Sequence, residues 1–242
     1  MTTLTERAPA VRGLALTAEK LTLGYGRAPV LRGLDLAIRP GEVLAVAGAS
    51  GSGKSTLLRA LAGLLRPAAG RVLADGVEVA ATSAERAMVF QDDGLLPWRT
   101  VRRNVELPLV LRKVPRAERR AAAASWLARV GLTESAGLLP RELSGGMRQR
   151  VQLARALAGA PRAVLMDEPF GALDPQTRAG MQRLLRGVLR ETRATVVFVT
   201  HDVDEALLLG DRVAVIGGGA LRTVIEVGEE DDDLRARVLK EL

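Results

Sequence analysis

A short glycine-rich segment of this sequence has the residue types and spacing needed to hold a phosphate chain. Residues 48–56 read GASGSGKST and fit the pattern G-x-x-x-x-G-K-[ST]. Glycines let the backbone curl so that successive N–H groups face an anion, and the positive end of a following helix attracts it further. Lys54 would then reach the β- and γ-phosphates of a nucleoside triphosphate, and the Ser55 hydroxyl would ligate Mg²⁺. The residues predicted to bind the nucleotide here are Gly48, Ala49, Ser50, Gly51, Ser52, Gly53, Lys54, Ser55 and Thr56.

Two adjacent acids are a second candidate for phosphate chemistry. Asp167 and Glu168 follow the four apolar residues AVLM. A buried strand would deliver them to the carboxyl edge of a sheet, where ligands of α/β proteins bind. Asp167 can hold the magnesium shell, and Glu168 can polarise a water for in-line attack on the γ-phosphate. An acidic pair at a strand end is more often a solvated loop, but the presence of a phosphate loop favours a catalytic role.

His201 is the only histidine among the 242 residues, and it ends the apolar run TVVFVT. Taken alone, a histidine at this position is most often packed where a strand ends. The alternative is an imidazole placed to contact a reacting group. The residue by itself leaves both interpretations open.

The surrounding sequence predicts the elements that would hold these groups. The run EVLAVAG before the phosphate loop is typical of a buried strand, and KSTLLRALAGLLRP after it has leucines on one helical face. The runs AVLMD and ATVVFVT are separated by a helical pattern of about twenty residues, which predicts parallel strands joined by a crossover helix. GRVLADGVEVA predicts a hairpin that turns at Asp75-Gly76, and the segment from about residue 92 is predicted to be mainly helical.

Composition excludes several classes of protein. The chain has no cysteine, so disulfides, thiolate zinc sites and a cysteine nucleophile are excluded. The net charge of +7 would suit nucleic acid, but aromatic residues are only 2% of the chain, and we expect no nucleic-acid partner. The N-terminal residues lack the apolar core of a secretory signal. The longest uncharged stretch, residues 43–53, is too short for a bilayer, so we expect a cytoplasmic protein.

The segment LSGGMRQR at residues 143–150 makes a family resemblance specific. Ser144, Gly145 and Gly146 would place a hydroxyl and bare amides at a helix N-terminus, which is a second anion site. With the phosphate loop before it and the acidic pair after it, residues 14–220 resemble the ATP-binding-cassette ATPases in the order of their motifs. The resemblance implies that ATP and Mg²⁺ bind. It also implies that the LSGG segment closes over the γ-phosphate held by a second copy, in a head-to-tail homodimer.

The same resemblance implies roles for further residues. Tyr25, in GYG, matches an aromatic that stacks on adenine, although a tyrosine that closes a turn is the alternative. Gln91, in MVFQDD, matches a glutamine that reaches Mg²⁺ and the attacking water, and Asp174, in GALD, matches a loop that contacts the opposite protomer. His201 matches a histidine that contacts the γ-phosphate. The implied catalytic residues are Glu168, His201 and Gln91, and the implied metal contacts are Ser55, Gln91 and Asp167.

Two features resemble the nitrate, sulfonate and taurine importer branch of this family. Met147 stands where glutamine is more common after LSGG, and residues 91–109 contain LLPW. Leu95, Leu96 and Trp98 either pack inside the helical part or form an exposed patch that docks a membrane subunit, and we favour docking. The resemblance implies an importer ATPase on the inner face of the cell membrane, with permease subunits and an extracytoplasmic solute-binding protein as partners. A soluble ATPase of a cytoplasmic assembly system, of the iron–sulfur scaffold type, is the alternative.

The expected fold is α/β, with a P-loop NTPase core and a mainly parallel sheet, an N-terminal antiparallel β subdomain and an inserted helical subdomain. Residues 1–242 are expected to form one ATPase domain. We expect its core at about 14–91 and 160–220, its helical subdomain at about 92–159, and a short helical tail at 229–242.

Overall fold

The structure, a computed structural model, describes residues 13–26, 28–92, 94–171, 173–228 and 233–242. The strands are β1 (Leu16–Tyr25), β2 (Ala28–Ile38), β3 (Val43–Ala47), β4 (Ala69–Ala74), β5 (Val77–Glu78), β6 (Arg86–Val89), β7 (Ala163–Asp167), β8 (Thr195–Thr200), β9 (Arg212–Gly217) and β10 (Ala220–Glu226). The α-helices are α1 (Lys54–Ala62), α2 (Val101–Val105), α3 (Leu107–Leu111), α4 (Arg116–Arg129), α5 (Gly145–Ala158), α6 (Pro175–Thr192), α7 (Val203–Leu209) and α8 (Leu234–Glu241).

A six-stranded sheet forms the centre of the molecule, with the strand order β10-β9-β3-β8-β7-β6. Strands β9, β3, β8, β7 and β6 run parallel, and β10 closes one edge in the antiparallel direction. Strands β7 and β8 are buried along their whole length, because helices and the second sheet cover both faces. The predicted α/β fold with a mainly parallel sheet is confirmed.

The parallel register places the carboxyl ends of three strands side by side, and each of these ends is followed by predicted site residues. Ala47, where the phosphate loop begins, pairs with Thr200, and Asp167 pairs with Val199. The carboxyl ends of β3, β8 and β7 therefore lie at one edge of the sheet, and β6 adds its own end next to β7. Groups that are more than a hundred residues apart in sequence meet at this edge.

A second sheet, ordered β2-β1-β4-β5, is antiparallel throughout, as predicted for the N-terminal part. Buried and partly exposed residues alternate along β1, which is the pattern of a strand with one face on a core. Asp75 and Gly76 both have positive φ, +47° and +80°, and form the predicted hairpin turn between β4 and β5. The leucines of α1 fill the space between the two sheets.

The helices α2 to α5 lie between β6 and β7 in the sequence and have a hydrophobic cluster of their own. This arrangement agrees with the helical character expected from about residue 92. The domain boundaries given above remain a prediction. Strand β10 extends the central sheet to Glu226, and α8 lies within the predicted tail, of which residues 229–232 are outside the described residues.

The LLPW segment divides between packing and exposure. Leu95 is buried in the helical cluster, so the expectation of an exposed docking position was wrong for this residue. The cause is Asn104, a fully buried side chain that accepts a hydrogen bond from the Leu96 amide at 2.9 Å and donates to the Arg99 carbonyl at 2.9 Å. These bonds fold the segment so that Leu95 points inward, whereas Trp98 remains 72% exposed.

Across the residues that the structure describes, none of the helices has the length and apolar content required to cross a bilayer.

Candidate functional site

The phosphate loop connects β3 to α1 and depends on glycine at particular positions. Gly51 and Gly53 have φ values of +76° and +101°, a region that side-chain-bearing residues rarely adopt. A Cβ on Gly48 would lie 2.4 Å from the carbonyl oxygen of Ile216, at the end of β9. Glycine is needed at these positions because the backbone turns sharply at Gly51 and Gly53 and passes close to β9 at Gly48.

Lys54 lies at the first position of α1 with its side chain almost fully buried. Its ammonium donates to the carbonyl oxygens of Gly48 at 2.7 Å and Ala49 at 2.8 Å, so the charge spans the loop. Burial lowers the pKa of Lys54, and the carboxylates of Glu168 and Asp167 act in the opposite direction. A cation held by two neutral carbonyls can exchange them for the charged oxygens of a phosphate.

Two features of the loop fit a nucleotide with its magnesium ion. The Ser52 hydroxyl is buried and has no hydrogen-bond partner, which leaves a donor for a phosphate oxygen. The Ser55 hydroxyl donates to Oδ1 of Asp167 at 2.7 Å, which puts a hydroxyl and a carboxylate together. Hard oxygen ligands of this kind suit Mg²⁺, which in phosphate sites takes its remaining ligands from phosphate and water. Among the described residues, no group of three or more acids and histidines could hold a metal by itself.

Glu168 is the point at which the predicted catalytic residues meet. Its Oε2 lies 3.4 Å from Nε2 of Gln91, which follows β6, and 3.6 Å from Nδ1 of His201, which follows β8. Its backbone has a φ of +44°, and its amide donates to the carbonyl of Val199 at 3.1 Å. A left-handed conformation costs a non-glycine residue about 1–3 kcal/mol, and strained residues of this kind cluster at active sites. The structure thus brings Gln91 and His201 together at the carboxylate of Glu168, a residue whose backbone is strained.

The side chain of His201 is 64% exposed, so it is not packed into the end of β8. The interpretation of this histidine as a core residue is therefore wrong. Its imidazole projects at the sheet edge beside Glu168, where it can exchange hydrogen bonds with a bound group.

Tyr25 lies at the end of β1 and is 52% exposed. Its hydroxyl accepts a hydrogen bond from Nη1 of Arg59 at 2.9 Å, which ties the strand to α1. The hydroxyl therefore has a structural partner, while the ring keeps accessible surface on which a base could stack.

The LSGG segment and Asp174 begin two helices, with Ser144 at the N-cap of α5 and Asp174 at the N-cap of α6. Ser144 is the exposed N-cap of α5, and its hydroxyl accepts from the Met147 amide at 3.3 Å. Gly146 is buried, and a Cβ there would lie 2.6 Å from Cγ2 of Thr177, so close packing on α6 already requires glycine. The carboxylate of Asp174 caps α6 by accepting from the Thr177 amide at 3.0 Å, and hydrogen bonds from Thr177 lower the pKa of that carboxyl.

Several polar residues beside Glu168 were not predicted from the sequence. Arg178 of α6 and Glu205 of α7 line a small cavity together with Glu168, Thr200 and His201. The sequence offered one signal for Glu205. This acid directly precedes the apolar run ALLL, which predicts a position close to the core, where a carboxylate is unusual. Nothing in the sequence pointed to Arg178, which comes from a different helix.

Comparison with known proteins adds three findings. A family model described as ABC transporter matches residues 31–171. The chain is 49% identical over 212 residues to the taurine import ATP-binding protein TauB of Chromobacterium violaceum, covering 87% of this chain and 81% of that protein. It is 46% identical over 210 residues to the nitrate import ATP-binding protein NrtC of Synechococcus elongatus, but the match covers 86% of this chain and only 32% of the relative.

A solved structure with a similar fold is a dimer of the ATP-binding cassette MJ0796 in a post-hydrolysis state, bound to ADP and Pi. Its TM-score is 0.80 at 33% identity, and the match covers 88% of this chain and 99% of that one.

Proposed function

Since this chain belongs to the ABC transporter family, as its match over residues 31–171 shows, we propose that it is the ATP-hydrolysing subunit of an importer. The observation that carries the proposal is the position of the Glu168 carboxylate. It lies in contact distance of Gln91 and His201, at the same sheet edge as the phosphate loop. The similar taurine and nitrate proteins are named as import proteins, which favours an importer over a cytoplasmic assembly system.

The phosphate loop and α1 would hold the triphosphate through Lys54, the backbone amides of residues 48–56 and the Ser52 hydroxyl. Ser55, Asp167 and Gln91 would hold Mg²⁺, which when bound neutralises negative charge on the β- and γ-phosphate oxygens. The ring of Tyr25 would stack on the adenine.

Hydrolysis needs a group that takes a proton from the attacking water. Glu168 is that group in this proposal, because its carboxylate is fixed at the sheet edge by the turn at φ +44°. Gln91 donates to Glu168 and so orients the carboxylate. His201 offers an exposed imidazole on the opposite side, which can donate to the γ-phosphate.

Two copies are proposed to form a head-to-tail pair in which each contributes part of both sites. Ser144 and Gly145 are exposed at the tip of α5 and present a hydroxyl and an amide at a helix N-terminus. Thr177 contacts both Gly146 and Asp174, so one protomer presents the LSGG segment and the Asp174 loop as a joined surface. The dimeric state of the similar cassette supports this arrangement.

Trp98 is the residue proposed to contact a membrane subunit. It is a large aromatic, 72% exposed, held on the surface of the helical part by the bonds to Asn104. In this proposal the chain is peripheral on the inner face of the membrane and drives uptake of a small anion or sulfonate-like solute. Permease subunits and a solute-binding protein complete the system.

The proposed function is tested by expressing the chain together with candidate permease subunits. The wild-type chain should release phosphate from ATP only with Mg²⁺ and should co-purify with the permease. Trp98→Ala should reduce co-purification while ATP hydrolysis by the isolated chain stays unchanged, and Val77→Ala, at another exposed apolar position, should affect neither. Hydrolysis without any permease binding would refute the importer role.

Tyr25→Ala should weaken ATP binding about 5- to 150-fold, because a base–aromatic stack contributes about 1–3 kcal/mol. Tyr25→Phe keeps the ring and removes only the bond to Arg59, so its affinity should stay close to that of the wild type. Isothermal titration with ATP and Mg²⁺ measures both. An equal loss of ATP affinity in the two variants would mean that ATP binding depends on the hydrogen bond between the Tyr25 hydroxyl and Arg59, and not on stacking of the ring.

A further inference from the structure

A group of polar side chains next to Glu168, of which Thr200 and Glu205 are buried, has no part in the chemistry proposed above. The cavity that these side chains line also contains the imidazole of His201. Because the His201 side chain is mostly exposed, packing does not hold it in place, and its position depends on the backbone turn between β8 and α7. What holds that turn also sets where the imidazole lies relative to Glu168.

Glu205 closes a ring of hydrogen bonds around His201. It is buried, and its Oε2 accepts from the Thr200 hydroxyl at 2.7 Å. The same hydroxyl accepts from the Asp202 amide at 3.0 Å, and Oδ1 of Asp202 accepts from the Glu205 amide at 3.2 Å. Thr200 is thus bonded directly to the Glu205 carboxylate, and Asp202 is linked to it through the Thr200 hydroxyl and to the Glu205 backbone through its own carboxylate.

Arg178 connects this ring to α6. Its Nη2 donates to the carbonyl of Leu173 at 3.2 Å, and its Nη1 lies 3.9 Å from Oδ2 of Asp202. Its Nε lies 3.7 Å from Oε1 of Glu205 and is buried without a hydrogen-bond partner. The guanidinium of Arg178 therefore contacts the Leu173 backbone and lies close to the carboxylates of Asp202 and Glu205.

The charges around Glu205 favour its pairing with Arg178. Burial raises the pKa of Glu205, whereas the Thr200 hydrogen bond and the positive charge of Arg178 lower it. Asp202 brings a second carboxylate near the first and raises the pKa further. Without Arg178, the Glu205 carboxylate would keep its hydrogen bonds from Thr200 and from Gln182, but it would lose the cation 3.7 Å away, and repulsion from Asp202 would then favour a displaced turn.

We propose that Arg178 and Glu205 are positioning residues, which lock the His201 turn to α6 and so keep the imidazole beside Glu168. The inference rests on the proposed ATPase function for its kinetic consequence only. In this proposal Arg178 links the loop before α6, which ends at Asp174, to the turn that carries His201. The loop and the histidine would then move as one unit within a protomer.

The test uses Arg178→Met and Glu205→Gln, with Arg186→Met as the matched control. Arg186 is also on α6 and donates to a backbone carbonyl of α7, that of Leu208, but at the end far from His201. We expect kcat for ATP hydrolysis to fall about 10- to 100-fold in the two test variants, with KM for ATP unchanged, because a small misplacement of a reacting group can cost about 100-fold. The control should keep the wild-type kcat.

Two further measurements separate positioning from loss of stability. His201 is the only histidine, so a tag-free chain gives a single imidazole Cε1–Hε1 resonance. This resonance should shift in both test variants and not in the control. The double variant should lose no more activity than the more affected single variant, since each single change already breaks the contact between Arg178 and Glu205.

Wild-type kcat and an unmoved resonance in Arg178→Met and Glu205→Gln would overturn the inference, as would losses that multiply in the double variant. A lower melting temperature with unchanged kcat and resonance would show a purely structural role and overturn it as well. Should the wild-type chain fail to hydrolyse ATP, the proposed function would be wrong, and the resonance would still decide whether the pair positions His201.

Discussion

Glu168→Gln should bind ATP with wild-type affinity and hydrolyse it at least ~100-fold more slowly, which is the usual range for a lost general base. Glutamine has nearly the same shape as glutamate, so it can adopt the same left-handed turn and stay beside Gln91 and His201. It cannot take a proton from water. The loss should therefore appear in kcat and leave nucleotide binding intact.

Phosphate release under saturating ATP and Mg²⁺ measures the first effect, and titration with ATP measures the second. Glu78→Gln is the matched control, since Glu78 is an exposed acid on β5, in the other sheet. It should hydrolyse ATP at the wild-type rate. The Glu168 variant should also accumulate as a dimer when ATP is present, because the bound nucleotide is not consumed. Wild-type turnover by Glu168→Gln would show that this carboxylate is not the base.

Ser144→Arg should lower the rate of ATP hydrolysis about 100-fold or more, while the monomer still binds ATP. Ser144 is exposed at the tip of α5, where the proposal places the γ-phosphate of the partner's nucleotide. Arginine there fills the space between the two protomers and blocks their closure over the nucleotide, and misplacing a reacting group can cost about 100-fold in rate. The phosphate loop of the same chain is untouched.

The substitution also removes a helix cap, because the Ser144 hydroxyl accepts from the Met147 amide. Ser144→Ala removes the cap without adding bulk, at a cost of about 1 kcal/mol in stability. It should keep dimerisation and much more of the activity than Ser144→Arg. Equal inactivity of the two variants at equal stability would point to the lost hydroxyl and not to blocked closure.

A mixing experiment decides whether the site is shared between protomers. Chains with Ser144→Arg have an intact phosphate loop, and chains with Lys54→Ala have an intact LSGG segment. In a head-to-tail dimer, one of the two sites combines the intact halves, so mixing two inactive proteins should restore part of the activity. No recovery at a concentration where the mixed dimer forms would contradict the shared site.

The phosphate loop could be predicted from sequence because its residue pattern lies within nine residues. Gly51 and Gly53 supply the positive φ values, and Lys54 begins the helix that follows. The parallel pairing of β7 and β8 was also predictable, since two apolar runs separated by one helix have few other ways to pack. The same holds for the hairpin at Asp75-Gly76, where two residues determine the turn.

Side-chain placement between distant elements could not be predicted in this way. Leu95 and Trp98 are three residues apart in one apolar segment, yet the bonds made by Asn104 bury the first and expose the second. Gly146 was assigned to anion binding, whereas its contact with Thr177 shows that packing also requires a glycine. Arg178 carried no signal at all, because its partners come from another helix.

The sequence by itself predicted the residues suited to phosphate chemistry and determined the local elements that carry them, because loop curvature, helix starts and buried strands depend on neighbours in the chain. Only the tertiary structure decided that Gln91, Glu168 and His201 meet, since this follows from the strand order β8-β7-β6. It also decided that Arg178 and Glu205 hold the histidine turn. Strand order and helix packing are set by burying apolar surface over the whole molecule, and contacts across them arise only once the chain has folded.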